Sequence, residues 1–180
     1  MRGGEGVFQQ TGPNEWGSSS PGSSTPVSPV LALVGFVGLC LLVGAAGAAV
    51  STSAVRHWYP SLTHPPGTLP SWVFGPVWTA LYLMIGVAGW LGWRRCGASQ
   101  PLRLWGWQLA ANALWMPIFF GLRSPGPALA ELAVLLALLA LTIRSFARVQ
   151  RAAALLMLPY FAWTLYAAYL NTGFWWLNRF

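Results

Sequence analysis

The run WVFGPVWTALYLMIGVAGWLGW, from Trp72 to Trp93, decides the fold class. It contains no charged residue and matches the roughly 20 apolar residues that a helix needs to cross a bilayer. Four further apolar segments have similar length, at about 27–55, 102–121, 127–147 and 152–177. The 180-residue chain is 56% hydrophobic and only 7% charged, whereas a soluble domain carries about a quarter charged residues. Together these features predict an all-α membrane protein, a bundle of five transmembrane helices.

Around this bundle the sequence is organised simply. Residues 1–26 are rich in Gly, Ser, Pro, Thr and Gln, and lack the apolar surface that would offset their ordering entropy. They are expected to form a disordered extension, with residues 27–178 as one five-helix membrane domain. The apolar run that follows is too long for a cleaved signal and is expected to remain as an anchor.

All ten basic residues are arginines. Six of them (Arg94, Arg95, Arg103, Arg144, Arg148 and Arg151) fall at one end of the expected bundle, and Arg56, Arg123 and Arg179 at the other. That asymmetry favours a cytoplasmic N-terminus. The net charge of +7 lacks the alternating basic and polar surface of a nucleic-acid binder, so no nucleic-acid partner is expected. Cys40 lies in an apolar run and Cys96 in a basic loop, a poor placement for a disulfide.

The connections are short except for Arg56–Ser71, which holds Pro60, Pro65, Pro66 and Pro70. These prolines preset φ and block a helix, predicting a stiff loop folded over the mouth of a pocket. Three helical stripes run below it. Trp78 and Tyr82 share one face; Gln108, Asn112 and Trp115 form another; Tyr160, Trp163, Ala167 and Asn171 a third. Each sets aromatic surface beside an amide or hydroxyl, which suits a flat, mostly apolar ligand, or equally a helix-packing core with amides bonded between helices.

The small-residue run Gly44–Ala49, with Gly35 and Gly38, predicts close packing against another helix, in the same chain or in a homodimer partner. Pro117 and Pro159 each free a carbonyl and favour a kink. Glu131 is the one acid near the apolar segments. It stands about one turn into the fourth, where the positive end of the helix dipole favours negative charge.

The string Trp58-Tyr59-Pro60-Ser61-Leu62 with Pro65, the run from Trp72 to Tyr82, Gln108 to Gly121, Ala130-Glu131, Pro159 to Trp163 and Leu170-Asn171 occur in this order. Over about residues 30–178 the chain resembles the translocator protein family, also called tryptophan-rich sensory proteins or peripheral-type benzodiazepine receptors. The resemblance implies five transmembrane helices around a pocket open toward the first loop. It implies binding of porphyrin, haem, sterols and related lipophiles for sensing, sequestration or transport, with no required cofactor. By resemblance the ligand-binding residues are Tyr59, Trp78, Tyr82, Gln108, Asn112, Trp115, Phe119, Trp163, Ala167 and Leu170.

An alternative implied by the resemblance is light- and oxygen-dependent porphyrin breakdown, with Trp78 and Trp163 as the oxidisable indoles. The residues themselves show no carboxylate pair, Ser-His-Asp set or phosphate loop for conventional catalysis. His57 and His64, the only histidines, are candidate haem ligands near the expected mouth. The loop departs from the family pattern: His64 replaces its lysine and Gly67 its tryptophan. The polar extension points to the endoplasmic reticulum or Golgi, with the mitochondrial outer membrane and a bacterial envelope as alternatives.

Of the remaining tryptophans, Trp90, Trp93, Trp105, Trp107, Trp175 and Trp176 lie near segment ends and read as interfacial anchors. Trp58 and Trp72 bracket the loop.

Overall fold

A computed structural model describes residues 28–179; the extension 1–26 with Trp16 lies outside the described residues. All regular structure among the described residues is helical. The elements are α1 (Pro29–His57), α2 (Phe74–Cys96), α3 (Gln100–Met116), α4 (Pro125–Val149) and α5 (Arg151–Leu177), with 3₁₀ turns at Tyr59–Ser61 and Ser71–Val73. Prolines stand in the first turn of α1, α3 and α4, where the missing N–H has no intrahelical partner to lose. Gly97, at φ 59°, ends α2 by donating its N–H to the Trp93 carbonyl at 2.8 Å.

Four helices are long and apolar enough to cross a membrane: α1, α2 extended back to Ser71, α4 and α5. α3 falls short of them at 17 residues. Pro117 has no N–H to continue its ladder, and the chain passes into a π-helical turn over Pro117–Gly121. α5 runs unbroken through Pro159.

Packing follows the order α1–α2–α5–α4–α3, with α3 and the π-turn closing back on α1. Glycines set the closest approaches. A Cβ at Gly86 would lie 2.7 Å from the Val37 Cα, and one at Gly89 would lie 2.5 Å from the Trp105 ring. On the small-residue run of α1, Gly44 abuts Tyr82 and Gly47 abuts Met116, so part of this face packs within the chain; Gly35 and Gly38 face open space.

Two apolar clusters fill the bundle. The larger joins Leu81, Ile85, Leu135, Leu139, Phe146, Met157 and Tyr160; the smaller joins Phe119, Ala128, Leu170 and Phe174 at the loop end.

Trp105 departs from the anchor role its position predicts. It is only 4% exposed, and its indole N–H donates to the Ile85 carbonyl at 2.9 Å. Gly89 provides the slot for the ring, and a buried carbonyl satisfies the one polar atom that favours an interface. Trp107, two residues on, faces outward, as do Trp175 and Trp176.

Candidate functional site

A cavity of about 450 Å³ occupies the loop end of the bundle, within the usual range of about 300–1,000 Å³ for ligand sites. Its floor and sides are aromatic. Trp78 lies 5.5 Å from Tyr82 and 6.1 Å from Tyr160, centroid to centroid. Phe74 meets Trp163 at 5.8 Å, and Trp163 meets Tyr166 at 5.2 Å. The π-turn brings Phe119 and Phe120 under the cavity, with Phe119 stacked on Trp115 at 5.2 Å. α1 supplies the opposite wall from small residues, Gly44, Ala45, Ala48 and Ser51.

Of the residues expected to bind ligand, Tyr59, Trp78, Tyr82, Trp115, Phe119, Trp163, Ala167 and Leu170 lie on this wall. Asn112 stands one layer behind, accepting a 2.7 Å hydrogen bond from the Tyr82 hydroxyl. It lines a separate space of about 10 Å³ that shares Trp78, Trp115 and Ala167 with the main cavity. Gln108 is fully buried in the core, and neither of its amide atoms has a hydrogen-bond partner within the chain.

His57 lies outside the wall, with Nδ1 2.9 Å from the Ser53 carbonyl. His64 also lies outside it, edge-on to Tyr59 at 4.9 Å and Phe174 at 5.4 Å. Glu131 is half-buried away from the cavity, both carboxylate oxygens buried without a partner in the chain. Burial raises the Tyr59 hydroxyl from the usual 10.0 to about 12, with Tyr166 adding to the effect.

Sequence reasoning missed Phe74, Tyr166, Phe174 and the α1 residues as wall components, whereas Asn171, in the third stripe, does reach the wall. Phe74 precedes Trp78 by one turn, and Phe174 follows Leu170 by one turn, so each extends a stripe already legible. The α1 face carried no such signal, because a small-residue run reads equally as helix packing.

The loop is tied down from α5. Tyr166 donates to the Gly67 carbonyl at 2.8 Å and Tyr169 to the Pro66 carbonyl at 2.9 Å. Asn178 makes a double contact with the Thr63 backbone, accepting from its N–H at 2.8 Å and donating to its carbonyl at 3.0 Å. Gly173 leaves room for Pro65.

An all-helical membrane protein with an aromatic cavity between its helices is the class that this geometry defines. A family model described as TspO/MBR family matches residues 36–177. The tryptophan-rich protein TspO of Chlorobaculum tepidum is 37% identical over 147 residues, covering 79% of this chain and 92% of that protein. The translocator protein of Bos taurus is 36% identical over 156 residues, covering 84% and 92%. The TspO protein of Archaeoglobus fulgidus is 35% identical over 151 residues, covering 83% and 98%. The chain belongs to the TspO/MBR family, and is an integral membrane protein.

Proposed function

We propose that the chain binds flat lipophilic ligands in this cavity, porphyrins and haem among them, and acts in their sensing, sequestration or transport. The observation that carries the reading is a cavity of about 450 Å³ walled by Trp78, Trp115 and Trp163. Planar aromatic ligands gain from offset stacking and edge contacts with such rings. Relatives named translocator protein and tryptophan-rich sensory protein support a membrane ligand-binding or translocating role.

In this reading α3 and the π-turn together cross the bilayer as a fifth span, and the proline-rich loop acts as a lid. The endoplasmic reticulum or Golgi is the proposed compartment, on the composition of the extension. Imaging of a tagged chain tests it.

Haem would be held mainly by its ring, because among the described residues no imidazole or thiol lines the cavity and the one sulfur there is the Met116 thioether. His64 packs against two wall residues and is the candidate for iron ligation from outside the wall, and His57 also lies outside it. Ferric haem spectra decide the matter: an unchanged Soret band in both His57→Ala and His64→Ala rejects histidine ligation.

Titrating the purified chain with protoporphyrin in darkness tests binding. Saturable quenching of tryptophan emission, weakened in Trp78→Phe and Trp163→Phe, is expected. Absence of quenching rejects the reading. A second reading, porphyrin photo-oxidation, is favoured by one observation: both oxidisable indoles, Trp78 and Trp163, line the cavity. Under light and oxygen it requires a new bilin-like absorber that is lost in either variant.

A further inference from the structure

We propose that the corner where α4 passes into α5 binds an anionic phospholipid, its headgroup phosphate on Arg144, Arg148 and Arg151 and its acyl chains along the apolar faces below them. All three arginines are exposed. Burial on either side fixes their direction. Thr142 and Phe146 on α4 are fully buried, and Arg144, two residues from each, falls on the opposite face of the helix. Arg148 follows one turn on. On α5, Ala153, Ala154 and Met157 face the core, which leaves Arg151 on the outer side with Leu155.

The corner is ordered before anything binds. A single residue, Gln150, separates the two helices, and its backbone bonds to both. Its N–H donates to the Phe146 carbonyl at 2.7 Å, and its carbonyl accepts from the Ala154 N–H at 3.3 Å. Gly92 on α2 provides the slot that seats Phe146. The arginines therefore project from a backbone that gives up little freedom on binding.

Nothing nearby neutralises them. Glu131 is the only acidic side chain among the described residues, and it lies roughly 20 Å from Arg144 along α4. Arg148, in the last turn of α4, suits the negative end of that helix dipole. Arg151 has no such explanation: it opens α5 at the positive end, with no acid in the first turn. Guanidinium groups pair with phosphate oxygens through two N–H bonds at once.

Below the arginines the same faces turn apolar. Val134 and Leu141 on α4, and Leu155 and Leu158 on α5, are all exposed. A soluble anion would use the arginines alone, whereas a phospholipid spans the arginines and the apolar faces as one molecule. The arginine asymmetry predicts that this end faces the cytoplasm, the leaflet where anionic lipids are enriched. The arginines at the α2–α3 end are placed differently. Arg94 lies over the Trp90 ring at 4.9 Å, Leu91 and Gly92 below Arg95 are half-buried and buried, and Arg103 is a lone charge on α3.

The test offers the delipidated full chain, in neutral detergent, equal amounts of phosphatidylglycerol and phosphatidylcholine with the same acyl chains. Native mass spectrometry reads which lipid is retained. The parent should prefer phosphatidylglycerol by more than about tenfold. Arg144→Gln, Arg148→Gln and Arg151→Gln should each cut that preference by about threefold to fivefold with the thermal midpoint unchanged, and Arg148→Lys by less. Arg95→Gln should leave it within about twofold.

Absence of a preference in the parent overturns the proposal. So does a loss in Arg95→Gln as large as in Arg148→Gln, which would reflect net charge and no defined site. Glycerophosphoglycerol, the headgroup without acyl chains, should not displace the lipid at equal concentration. Displacement overturns the phospholipid assignment in favour of a free phosphodiester.

Discussion

Glycines at the helix contacts carry the sharpest residue-level consequence. Gly86 faces α1 backbone, which cannot rotate away, so Gly86→Ala should destabilise the bundle by about 1–3 kcal/mol. Gly35 faces open space, and Gly35→Ala should leave stability within about 0.5 kcal/mol of the parent. Thermal unfolding of both variants in the same detergent checks the contrast. Tyr59 gives a pH signature. Its hydroxyl ionises near 10.0 when free and near 12 in the folded chain, so its neutral form favours folding below pH 10, and that contribution is lost as pH rises toward about 12. Alkaline denaturation should be shallower over that window in Tyr59→Phe. At this scale the aromatic wall was largely legible, since Trp78 and Tyr82 fall one helical turn apart. Trp105 was not legible: its proximity to a segment end says interface, and only the distant Gly89 reveals the slot that buries it.

Among the elements, the loop and α5 form a mechanical unit. Asn178 and Tyr169 hold the loop backbone without touching the cavity, so they separate latching from ligand contact. Asn178→Ala and Tyr169→Phe should each weaken the latch by about 1 kcal/mol. The expected readout is faster amide exchange across residues 62–70 and faster ligand dissociation, with the absorption of the bound ligand unchanged. Exchange at the parental rate in both variants rejects the latch. The prolines predict a stiff loop from sequence, but its tie to α5 joins residues about a hundred positions apart and leaves no local trace. The π-turn is a similar case. Pro117 foretells a break in the ladder, yet the choice between a kink and a widened turn depends on how Phe119 and Phe120 pack beneath the cavity.

For the whole molecule, composition and hydropathy revealed the helical membrane class, and helix order placed the arginines at two ends. By the positive-inside rule the six-to-three asymmetry predicts that the N-terminus and the ends joining α2 to α3 and α4 to α5 face the cytoplasm. A glycosylation acceptor inserted within residues 62–70 should be modified in endoplasmic reticulum membranes, and one within residues 148–151 should not. The reverse pattern inverts the orientation. What hydropathy did not show is how unevenly the helices are held. The most apolar 18-residue window of α1 is only 6% buried, against 28–33% in the other three long helices. α1 contacts α2, α3 and the π-turn, yet it forms one whole side of the cavity. Acyl chains lying on this exposed face would press on a wall of the proposed binding site, making lateral pressure and bilayer thickness terms in its affinity. Reconstitution into nanodiscs of graded acyl-chain length should change ligand affinity monotonically, even though no ligand atom need touch a lipid.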